Sequence, residues 1–107
     1  MKLVIIESPF AGDVEANIAY ARMCMRDSLG RGEAPFTSHL LYPQPGILDD
    51  GIHFERRLGI AAGIAWGAVA ELTAVYADRG ISPGMQEGIR AAELLNRPIE
   101  YRKIESL

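Results

Sequence analysis

The chain has 107 residues, 49% of them hydrophobic and 23% charged, a composition expected of a single soluble globular domain over residues 1–107. A formal net charge of −3 gives no electrostatic reason to bind nucleic acid, and a lone cysteine, Cys24, rules out an intramolecular disulfide. The uncharged apolar stretch Leu58 to Ala70 falls short of the roughly 20 residues a membrane span needs, and the apolar start Leu3 to Ile6 is too short for a signal peptide, so a cytoplasmic protein is expected.

Leu3 to Ile6 reads as a strand buried on both faces, as in a parallel sheet. Ser8-Pro9-Phe10-Ala11-Gly12 breaks it, and Asp13 caps a helix running to about Leu29. Val14, Ile18, Ala21, Met25 and Leu29 recur at helical spacing and form its expected core stripe, with Cys24 a small buried residue beside it. Gly30-Arg31-Gly32 ends the helix. Pro35 precedes a second predicted strand, Thr37 to Leu41, and Tyr42 to Gly51 is a loop by composition.

His53 to about Val69 is predicted helical. Gly59, Gly63 and Gly67 fall on one stripe of it, and each costs up to about 1 kcal/mol against alanine. Three in register need a packing reason, either very close approach to the sheet or a groove through which two subunits cross. A homo-oligomer is therefore expected. Leu72 to Tyr76 reads as a third, buried strand. After it, Ser82 N-caps a helix to about Leu95 with Pro83 in its first turn. Asn96-Arg97-Pro98 stops the chain, and Ile99 to Ile104 makes a last strand.

The order β-α-β-α-β-α-β predicts an α/β fold, a small parallel sheet with helices on both faces. Ligands of such sheets bind beyond the carboxyl ends of the strands. Three loops reach that edge, and they supply the candidate ligand-binding residues: Ser8, Pro9, Phe10 and Gly12 from the first, Asp49 from the second, and Asp78, Gly80, Ser82, Gly84 and Met85 from the third, with His39 at a strand end. Gly80 and Gly84 allow a tight turn and close approach of backbone to a ligand. The start of the Ser82 helix offers unpaired N–H groups to a phosphate or sugar oxygen. Asp49, Asp50 and His53 are too few to argue for a metal, and no metal or cofactor is expected.

Ser8-Pro9-Phe10, Asn17 and Asp78-x-Gly80-Ile81-Ser82-x-Gly84-Met85 resemble the nucleoside 2-deoxyribosyltransferase-like superfamily. Ser38-His39-Leu40-Leu41-Tyr42, Leu48-Asp49-Asp50 and Pro98-Ile99-Glu100-Tyr101-Arg102 resemble a small branch of it found in phages and bacteria. The resemblance implies a Rossmann-like three-layer sandwich with a nucleoside or nucleotide cleft. Enzymes of that superfamily attack C1′ of the sugar with a glutamate, usually six positions after the serine of the Ser-x-Gly motif. That position here is Gly88, and the neighbouring Glu87 lies about 100° round the helix. The leading expectation is thus a protein that holds a nucleoside, nucleotide or ADP-ribose-like molecule without turning it over, in a phage setting a means of sequestering a signalling nucleotide. The alternatives are an N-glycosidase or deoxyribosyltransferase acting through Glu87, and a structural or interaction protein.

Overall fold

A computed structural model describes residues 1–105; residues 106–107 of the expected domain lie outside the described residues. Four strands, β1 (Lys2–Glu7), β2 (Glu33–Phe36), β3 (Leu72–Tyr76) and β4 (Ile99–Arg102), alternate with three helices, α1 (Val14–Gly30), α2 (His53–Gly67) and α3 (Pro83–Leu94). All pairings are parallel and the strand order is β2-β1-β3-β4. The chain moves from β1 outward to β2, then returns past β1 to β3. Right-handed crossovers therefore put α1 on one face and α2 and α3 on the other. The reversal lies between β1 and β3, the place where open α/β sheets bind ligands.

Alternation along β1 divides its side chains between the two faces. Val4 and Ile6 are buried against Tyr20 and Cys24 of α1, in a cluster with Leu72, Ala74 and Tyr76 of β3. Ile5 and Glu7 face α2 and α3 instead. The expectation that β1 is buried on both faces is thus corrected: Leu3 is exposed and Ile5 and Glu7 are only partly buried. β3 is central, and all five of its residues are buried.

Local signals set several boundaries. Asp13 accepts the Ala16 N–H (3.2 Å) at the start of α1. Gly32, at φ +81°, turns the chain into β2 where a side chain would be strained. Ser82 accepts the Met85 N–H (3.2 Å), and Pro83 opens α3. The second strand is a correction. It spans Glu33–Phe36 with Pro35 inside it, whereas Thr37–Leu41 forms no strand and Ser38–Leu40 is a 3-10 turn. Proline is admissible there because β2 is an edge strand. The α1 stripe is also corrected: Tyr20, Ala21, Cys24 and Ser28 are buried, while Val14 and Leu29 at the helix ends are exposed.

The glycine stripe of α2 packs within its own chain. A Cβ on Gly63 would sit 3.0 Å from the Ser38 Cβ, and one on Gly59 3.2 Å from the Leu48 Cδ1. A Cβ on Gly67 would meet the Arg97 guanidinium at 3.4 Å. The stripe is where the loop after β2 and the Arg97 side chain lie against the helix, so its packing reason needs no second subunit.

A buried ionic cluster ties the sheet to the end of α1. Arg102, with a side chain 2% exposed, donates to both Glu33 oxygens (2.9 and 2.7 Å) and to the Tyr76 hydroxyl (3.1 Å). Ser28 donates to Glu33 (2.7 Å), and Tyr76 to Asp27 (2.7 Å). The guanidinium and Ser28 hold the Glu33 carboxyl down at about 2, despite the opposing cost of desolvation.

Gly63→Leu should lower stability by about 1–3 kcal/mol through overpacking against Ser38. Gly30→Ala, whose Cβ meets nothing within 4 Å, should be neutral or stabilising in the same thermal melts. Glu33 is ionised in the folded chain well below the pH at which it protonates when unfolded. Its contribution is fully present above the ordinary carboxylate range near 4.5 and is lost as pH falls towards about 2. Glu33→Gln should flatten that acid limb and destabilise the protein at neutral pH, towards the lower end of about 3–5 kcal/mol because Glu100 still meets Arg102.

Candidate functional site

A cleft runs along β1 to its carboxyl end beside the start of α3, roofed by the loop after β2 and walled by α2 and α3. It encloses about 1010 Å3 of space free of protein atoms, open solvent at its mouth included. Ile5, Phe36, Ile60 and Ile64 supply its apolar wall. Its polar lining includes Glu7, Ser38, His39, Ser82 and Arg97.

Of the residues singled out from sequence, Phe10, His39, Ser82 and Gly84 line this cavity. Gly12 and Asp49 line a shallower shelf that shares Phe10 with it. Phe10 and His39 stack, ring centroids 5.3 Å apart and planes inclined by 14°. His39 Nε2 donates to the Ser8 carbonyl (2.7 Å), which leaves Nδ1 as an acceptor. Burial lowers the His39 pKa, so the ring is neutral at physiological pH.

The start of α3 is sparser in donors than its sequence suggests. Pro83 has no N–H, Ser82 N–H donates to the Met85 Sδ (3.4 Å), and the Met85 N–H is taken by the Ser82 hydroxyl. The Gly84 N–H is the one in the first turn that a ligand can meet. A Cβ at Gly84 would meet only the Ser82 Oγ, at 4.0 Å, so that side of the cavity is open.

The other candidates lie outside the cavity lining. Ser8 is fully buried, and its Oγ has no partner among the described residues. Pro9 is buried beside it. Asp78 accepts from the Tyr20 hydroxyl (2.6 Å) and from the N–H groups of Ile104 (3.1 Å) and Glu105 (3.0 Å), anchoring the chain after β4. Gly80, at φ +85°, makes the turn after β3. Met85, in the first turn of α3, is wholly buried. Asp49 accepts the Gly51 N–H (2.9 Å) in a local turn. Glu87 faces Arg57 across the helix pair (3.4 Å) and does not line the cavity. Among the described residues no group of three or more His, Cys, Asp or Glu side chains is placed to hold a metal ion.

Two residues that were not among the sequence candidates dominate the floor. Glu7 ends β1 with its carboxyl directly against Gly88 of α3; a Cβ at position 88 would overlap the carboxyl atoms. Burial pushes the Glu7 pKa up to about 8, with the Arg97 charge opposing it. Arg97 directs Nε to the Thr73 hydroxyl (2.9 Å) and Nη1 to the Gly67 carbonyl. The signal for Glu7 was faint: an acidic residue closing an otherwise apolar buried strand. Arg97 read only as part of a helix stop.

A carboxyl whose pKa is raised by folding stabilises the fold most below its unfolded value near 4.5, and that contribution is lost as pH rises through about 8. Glu7→Gln should therefore raise the melting temperature more at pH 9 than at pH 5. An equal shift at both would show that the carboxyl is not perturbed.

Comparison with known proteins places these features in context. The pattern of a family described as a domain of unknown function, DUF7768, matches residues 2–102. No curated protein matches the sequence. A solved structure of a 2-deoxyribosyltransferase from the psychrotolerant bacterium Bacillus psychrosaccharolyticus has the same fold, with a TM-score of 0.65 at 17% identity over 98% of this chain and 76% of that one. Among the described residues no helix is long and apolar enough to cross a membrane.

Proposed function

The chain belongs to the DUF7768 family, and we propose that its cleft binds a nucleoside or nucleotide-type ligand, ADP-ribose-like molecules included. The observation that carries this reading is the cleft at the β1–β3 reversal, with an apolar wall on one side and a few converging polar groups on the other. The wall of Ile5, Phe36, Ile60 and Ile64 suits a base, and the polar groups suit a sugar. The fold shared with a 2-deoxyribosyltransferase supports the same ligand class. Sequestration of a signalling nucleotide in a phage setting is a narrower form of this reading. Glycosyl transfer through Glu87 is not favoured, because that carboxylate is paired with Arg57 away from the cavity.

Calorimetry with nucleosides, their 5′-monophosphates and ADP-ribose derivatives tests it. At least one class should bind. Gly84→Val, which fills open space beside the Ser82 cap, should weaken binding about tenfold or more while leaving the melting temperature nearly unchanged. Absence of heat for every ligand at millimolar concentration would refute the reading.

A further inference from the structure

We propose that Glu7 is a general acid that cleaves the N-glycosidic bond of a nucleoside held in the cleft, an activity that rests on the nucleoside reading above. Its carboxyl lies on the cavity floor, at the end of β1 where the sheet reverses direction. It occupies the space a side chain at position 88 would need, so α3 closes directly on it. Among the described residues the Arg97 guanidinium is the charge that acts on it, and Arg97 has Nε on Thr73 and Nη1 on the Gly67 carbonyl.

The surrounding groups leave the proton on Glu7. The 3-10 turn contributes His39, neutral by burial. Asp50 comes from the loop before α2, and Glu55 and Arg56 from the first turn of α2; none of them perturbs Glu7. α3 presents Gly88 and no charge to the cavity. Glu7 thus carries its proton at neutral pH, held by the apolar surroundings that raise its affinity for it. A carboxyl in this state is suited to protonating a leaving group.

The step balances with water as the second reactant. The C1′–N bond breaks, and its electron pair goes to the base, which takes the Glu7 proton. A water oxygen bonds to C1′, and the water gives a proton to the Glu7 carboxylate. The products are free base and free sugar, with Glu7 protonated again. No oxidant, metal or second protein carboxylate takes part.

The test incubates the full chain with nucleosides and their 5′-monophosphates, measuring free base by chromatography and binding by calorimetry in parallel. Wild type should release base from a ligand it binds, with a rate that falls as pH rises through about 8. Glu7→Gln should bind comparably and release base about 100-fold to 10,000-fold more slowly. Gly88→Ala, which displaces the carboxyl without deleting it, should also lose release, with its fold checked by melting. Binding by wild type with the ligand recovered intact overturns the activity and leaves the binding reading standing. So does release that is unchanged in Glu7→Gln, or a rate that rises with pH through about 8. No binding at all would instead remove the ligand reading on which the activity rests.

Discussion

Glu7 can hold its place only because position 88 carries no side chain. The carboxyl lies against the α3 backbone, and any Cβ there would overlap it. The arrangement is costly on both sides. A glycine inside a helix loses about 1 kcal/mol against alanine, and a carboxyl in a cleft loses hydration. The register that brings the two together is set further up the helix. The Ser82 cap fixes where α3 begins, and Met85, wholly buried, fixes which face turns to the sheet. One turn later Gly88 falls opposite the end of β1. That contact sets α3 against the end of β1.

Two glutamates in this small protein show opposite responses to burial, and the difference lies in their partners. Glu33 is gripped through both oxygens by Arg102 and receives a third hydrogen bond from Ser28, so its charged form is favoured. Glu7 has an arginine nearby as well, but Arg97 directs hydrogen bonds to Thr73 and to the Gly67 carbonyl. Its charge reaches Glu7 only at a distance and does not offset the loss of water. The first carboxyl secures β2 and β4 to α1. Among the described residues the second makes no hydrogen bond.

Much of the frame was legible because it depends on local rules. The apolar run Leu72–Tyr76 reads as a buried strand, and Asp13 and Ser82 announce helix starts by offering an oxygen to the next turn. The error at β2 came from reading Pro35 as a boundary. An edge strand tolerates a missing N–H, and nothing in the local sequence says which strand will lie at an edge. The loop candidates divide for a similar reason. Ser82 and Gly84 turn to the cavity, while Asp78, earlier in the same loop, is claimed by Tyr20 and the chain after β4.

By itself the sequence determined the order of elements and the parallel sheet with helices on both faces. Those properties follow from periodicity, caps and crossover handedness, which act over a few residues or on whole connections. Tertiary structure alone decided which residues meet at the site. Glu7 and Gly88 come from the first strand and the last helix, and Arg97 stands in a segment whose composition marks only a turn. The raised pKa of Glu7 is a property of the volume enclosed by three elements. Dielectric surroundings and steric vacancies arise only when distant segments pack, so no local pattern encodes them.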